Sequence, residues 1–166
     1  AEAKHDDPFL PLIPDEPVPK QSRGNNLGRY GITNWGQVFN SRQTLALTTF
    51  IRAIREAYGQ LMASGASRDE ATAVALYLSL ALSRMSLRLS EASRWDGTKN
   101  SIQGATGGHK LPFMWDYGEA NPLTGTGSWD NIAGWVLDSI DRLLHTDQTP
   151  AVVQWGDATQ LPYPDD

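Results

Sequence analysis

The sequence predicts a mainly helical fold: a helical hairpin with a third helix across it, a proline-rich arm in front and one strand behind. Three observations carry this prediction. Apolar residues recur at spacings of four and three over 47–61, and again along 129–143, as they do on one buried helix face. Residues 74–89 are apolar in nearly every direction, which suits a helix central in its bundle. Only residues 151–155, AVVQW, read convincingly as a strand. The chain has 166 residues, 40% hydrophobic and 20% charged, enough for one globular core and too apolar for disorder.

The arm comes first. Residues 8–19, PFLPLIPDEPVP, hold too many prolines for a helix or a central strand, because each removes an amide donor and fixes φ. With three residues per polyproline turn, Pro8, Pro11, Pro14 and Pro17 share one face. The expected role is an extended strap on its own domain; the competing role is docking on a partner's aromatic groove. The polar, glycine-containing run 21–28 is a linker. The division is therefore 1–28 arm and linker, 29–147 helical domain, and 148–166 a strand segment.

Tyr30, Ile32, Trp35, Val38 and Phe39 cluster around a short helical turn that Thr33 or Asn34 caps. Asn40 and Gln43 have the spacing of a capping box, opening a helix over 41–64. Leu47, Ile51, Ile54, Tyr58 and Leu61 form its buried stripe, and Arg42, Arg52, Arg55 and Glu56 its polar side. Ser67 and Glu70 form a second box and start a helix over 68–91, with Val74, Leu78, Ala81, Leu82 and Met85 expected in the core. Its thin seam of Thr72, Ser79, Ser83, Ser86 and Ser90 permits close helix packing, and no histidine is spaced to activate a serine. Arg84 and Arg88 are one turn apart on it, and Arg94 follows. Residues 93–127 read as irregular, with the aromatic cluster Phe113, Trp115 and Tyr117. Ser128 caps the third helix, 129–144, with Trp129, Ile132, Val136, Ile140 and Leu143 on one face and Asp138 paired to Arg142 one turn on.

Charge is uneven. Residues 1–19 hold one lysine and five acids, net −4. Residues 20–110 hold 12 lysines and arginines and five acids, net +7. Residues 111–166 hold one arginine and nine acids, net −8. A basic middle between acidic ends has two readings: the three parts neutralise each other within the fold, or the middle meets an anionic partner such as nucleic acid.

Several classes are excluded. With no cysteine there is no disulfide framework, thiolate zinc site or thiol nucleophile. His5, His109 and His145 are too scattered for a metal site. No apolar run approaches membrane-spanning length, and the start AEAKHDD lacks a signal-peptide h-region, so the expected location is cytoplasmic and no membrane partner is expected. There is no nucleophile–base pair, metal cluster or phosphate loop, so no catalytic residue is assigned. A lone strand has no ladder partner, so either an N-terminal strand pairs with it or the chain is a piece of a larger protein.

The segment after that strand, Gly156–Asp157–Ala158 and then Leu161–Pro162, resembles the GDA-x-x-LP segment of class I methyltransferases that use S-adenosylmethionine. A carboxylate at a strand's C-terminal end lies at the ligand crevice of an α/β sheet, and a preceding glycine permits close approach. Together with RYGITNWGQVFNSRQTLALTTF (29–50), RWDGTKNSIQG (94–104) and LPFMWDYGEANPLTGTGSW (111–129), the segment resembles one family in order and spacing over about residues 12–166. That family is the large adenine-specific DNA methylases that contain a zinc ribbon and a conserved N-terminal domain of unknown function.

The resemblance implies a helical insertion inside a circularly permuted methyltransferase, with 148–166 starting a truncated Rossmann-like sheet. It implies S-adenosylmethionine as the parent protein's cofactor, with Asp157, followed by Ala158, at the cofactor adenine. The family's glycine loop, zinc-ribbon cysteines and D/N-P-P-Y motif are absent here, and Asn121–Pro122–Leu123 lacks the second proline and the aromatic residue. No catalytic residue carries over, so the piece is expected to be inactive alone. Its expected partners are the rest of the methylase chain and DNA, with phosphate contacts from Arg42, Arg52, Arg55, Arg84, Arg88 and Arg94. The alternative is a non-catalytic protein-interaction module of a multi-subunit bacterial or archaeal system.

Overall fold

The computed structural model describes residues 11–19, 27–104 and 114–145. It is mainly helical. Two 3-10 turns, Leu27–Tyr30 and Trp35–Val38, lead into helix α1 (Ser41–Ala63) and helix α2 (Arg68–Ser86). A hairpin of β1 (Arg94–Asp96) and β2 (Ser101–Gln103) follows, then helix α3 (Trp129–Leu144). The strand expected at 151–155 lies outside the described residues, as do Asp157 and Ala158. Among the described residues no helix is long and apolar enough to cross a membrane.

Each long helix starts where its cap sits. The Asn40 side chain accepts from the Gln43 amide at 2.9 Å, and Gln43 Oε1 accepts from the Asn40 amide at 3.0 Å. Ser67 and Glu70 repeat the exchange on α2, and Ser128 accepts from the Asn131 amide at the start of α3. The α1–α2 link turns at Gly65, whose φ of +91° is open to glycine at no steric cost.

The core gathers Leu47 from α1, Ala81 and Met85 from α2, Leu89 just beyond it, and Ile132 from α3. Phe50 and Trp129 stack across the α1–α3 contact with ring centroids 4.8 Å apart. A smaller cluster of Val18, Leu27, Ile32 and Val38 joins the main one through Phe39. There the backbone of 14–18 runs along that of 33–36. Val18 N–H donates to the Thr33 carbonyl at 2.7 Å, Trp35 N–H to Glu16 at 3.1 Å and Gly36 N–H to Pro14 at 3.0 Å.

Four expectations are corrected. Helix α2 ends at Ser86 rather than at residue 91. Beyond it the Glu91 amide donates to the Val38 carbonyl, and the Glu91 carbonyl accepts from Met114, so tertiary partners take groups the helix would have used. Helix α2 joins the main core only through its C-terminal half, although Ala71 near its start is also buried. Ala81 and Met85 are buried, Leu78 and Leu82 are half-buried, and Val74 is 42% exposed. The helices α1 and α3 flank it, and two neighbours do not enclose a helix that is apolar all round; Leu76, Tyr77 and Leu80 are left exposed. The region read as irregular contains the β1–β2 hairpin, with Trp95 opposite Ile102. Its turn is organised by Asp96, whose carboxylate accepts from the Thr98 and Lys99 amides. The expected Asp138–Arg142 pair does not form; exposed side chains gain little from such a contact.

Candidate nucleic-acid interface

The structure separates the six candidate arginines into three environments. Arg42, in the first turn of α1, is held by Glu119: Nη2 lies 3.2 Å from Oε2 and Nε donates to Oε1 at 3.4 Å. Asn40 Nδ2 donates to the same carboxylate at 3.2 Å and to the Tyr117 hydroxyl at 3.0 Å. This cluster fastens the 117–119 segment to the start of α1, so Arg42 serves the fold. The hydrogen bond from Arg42 is the main cause that holds the Glu119 carboxyl below the ordinary glutamate range, helped by Asn40 and opposed by partial burial.

The sign of the resulting pH effect follows. A depressed folded-state value means that Glu119 contributes fully above the ordinary glutamate range and loses that contribution as pH falls through its lowered value. Glu119→Gln is therefore expected to flatten the acid limb of a thermal-denaturation pH profile. A variant whose melting temperature falls on acidification as steeply as the wild type would contradict it.

Arg52 is exposed on α1 and Arg94 is exposed on β1 beside Trp95, while Arg55 is half-buried. Arg52 and Arg55 lie one turn apart on α1, and Arg94 is on a different element.

Arg84 and Arg88 form the third environment. One turn apart on α2, they converge on Trp135 of α3: Cζ of Arg84 lies 4.7 Å from the ring centroid and Cζ of Arg88 lies 5.3 Å from it. The indole face attracts each cation by about 0.5–2 kcal/mol, and in return the helices are tied together. Neither guanidinium has a carboxylate partner among the described residues. Nη1 of Arg88 is buried without a hydrogen-bond acceptor there. Burial first, then the charge of Arg84, lowers the Arg88 pKa. Two cations at one ring with no acid among the described residues are an arrangement that an anion would relieve.

A groove of about 330 Å³ opens beside this pair between α2 and α3. Tyr77, Leu80 and Arg84 form one wall, and Trp135, Ile140 and Leu143 the other. A second cleft of about 330 Å³ lies between residues 11–14 and the α1–α2 face, where Ser79, Ser83 and Ser86 of the small-residue seam line it. Ser79 donates to the Ala75 carbonyl and Ser86 to the Ser83 carbonyl, so these two hydroxyl protons go to their own helix.

Trp115 is 80% exposed with its ring edge-on to Tyr30 at 6.0 Å, Tyr117 is tied to Asn40, and Phe113 lies outside the described residues. Among the described residues no three His, Asp or Glu side chains are grouped to hold a metal ion. Sequence reasoning missed Trp135 and Glu119. Arg84 and Arg88 share a helix face at i, i+4, but nothing local shows that a tryptophan 47 residues beyond Arg88 completes the cluster. Comparisons of the chain with protein-family models, with curated proteins and with solved structures found no match.

Proposed function

We propose that the chain is the helical insert of an adenine-specific DNA methylase dependent on S-adenosylmethionine, and that it holds DNA by its phosphates along the α2–α3 edge. The observation that carries the DNA role is the Arg84–Arg88 pair on Trp135, two cations without an acidic partner among the described residues. Guanidinium groups suit phosphate because their planar donors match its oxygens. The methylase reading is supported by the residue runs 29–50, 94–104 and 111–129, followed by the GDA segment. In this reading Asp157 takes the adenine amino group of the cofactor, with Ala158 beside it, and the rest of the parent chain supplies the methyl-transfer machinery. The insert's part is to position DNA. Methylation needs a nucleotide drawn out of the duplex, and an opened duplex needs holding.

The test is a filter-binding titration of duplex DNA against salt. Each phosphate contact adds about −0.9 to the log–log slope, so Arg84→Ala and Arg88→Ala are each expected to make it shallower by about one unit without changing sequence preference. Arg42→Ala is expected to leave the slope unchanged. No retention of DNA at low salt overturns the DNA role. For the parent, the coding sequence after Asp166 is expected to encode a D/N-P-P-Y motif, and its absence overturns the methylase reading. One observation favours the protein-interaction alternative: Leu76, Leu80, Leu143 and Leu144 are exposed along α2 and α3.

A further inference from the structure

We infer that the groove between α2 and α3 takes an unstacked nucleobase whose neighbouring phosphates lie on Arg84 and Arg88. The inference rests on the DNA-holding reading above and specifies the form of DNA that is held. The groove combines three features. Its walls are apolar, from Leu80, Ile140 and Leu143. Two aromatic residues, Tyr77 and Trp135, line it, one from each helix. Arg84, which lines it, belongs to the cation pair on Trp135 whose other member, Arg88, lies one turn further along the chain, beyond the groove lining.

A volume of about 330 Å³ is at the small end of the range for small-molecule sites. It suits one flat ring system better than the row of side chains that a docked helix presents. The Ser139 hydroxyl donates to the Trp135 carbonyl at 2.7 Å, leaving only lone pairs for a ligand. The best fit is therefore a flat ring with apolar faces attached to anions. A nucleotide in single-stranded or opened DNA has that chemistry, because each base has a stackable face and a phosphate on either side. Bases inside an intact duplex are already stacked and do not reach such a groove.

The experiment compares two labelled oligomers of equal length and charge by fluorescence anisotropy with the full chain at low salt: an oligothymidine and a fully abasic strand. The oligothymidine is expected to bind about fivefold or more tighter, the contribution of one stacked base. Tyr77→Ala, at an exposed position, is expected to remove that difference and leave abasic binding unchanged. Trp135→Leu, with its fold checked by circular dichroism, is expected to remove it as well. Equal affinity of the wild type for the two strands overturns the inference, keeps the phosphate role, and leaves the groove to a protein contact. Failure of both strands to bind overturns the DNA-holding reading itself.

Discussion

Met85→Ala is expected to lower the stability of the fold by about 2–5 kcal/mol, the range for a large-to-small change in a closed core. Met85 is fully buried, and it belongs to the cluster in which Leu47, Ala81, Leu89 and Ile132 meet. All three helices contribute to that cluster or its rim, so a cavity there weakens every helix contact at once. The contrast along the same helix sharpens the expectation. Val74 is 42% exposed, and Val74→Ala should stay within about 0.5 kcal/mol of wild type. Urea denaturation of the two variants checks both; a loss below about 1 kcal/mol for Met85→Ala would show that the core lies elsewhere.

Gly36→Ala is expected to be the second most damaging change, at about 1–3 kcal/mol, as for overpacking against groups that must move. A Cβ at position 36 would stand 2.6 Å from the Pro14 carbonyl oxygen and 2.8 Å from Ile13 Cγ2. The first of these is backbone, so residues 13–16 must lift. That breaks the Gly36–Pro14 bond and strains the neighbouring Trp35–Glu16 bond. Hydrogen exchange at Val18, whose amide donates to Thr33, should accelerate. Gly28→Ala is the control, since a Cβ there meets nothing within 4 Å. Unchanged stability and unchanged Val18 exchange in Gly36→Ala would contradict the packing described for 14–18.

The helices were legible because their signals are local. Asn40 with Gln43, Ser67 with Glu70, and Ser128 each sit where a cap is required, and the stripe Leu47, Ile51, Ile54 has helical period. The hairpin was not legible, since strands of three residues are too short for an alternation to register. The exposure of Leu76 and Leu80 was hidden for another reason. An all-round apolar helix states that it wants neighbours, but how many it has is a tertiary fact. Charge balance supported two readings, and both find a residue. Arg42 is neutralised within the fold by Glu119, which comes from the acidic third of the chain. Arg84 and Arg88 have no acidic partner among the described residues, and their common partner there, Trp135, is aromatic and therefore invisible to any count of charge.

The most direct test of the account is to watch the arginines themselves. In a nitrogen-15 NMR titration with duplex DNA at low salt, the side-chain Nε–H signals of Arg84 and Arg88 are expected to shift together, to saturate, and to return when salt is added. Arg42, held by Glu119, is expected to stay in place. DNA binding that moves Arg52 or Arg94 while Arg84 and Arg88 remain stationary would contradict the assignment of the α2–α3 edge as the phosphate-holding site.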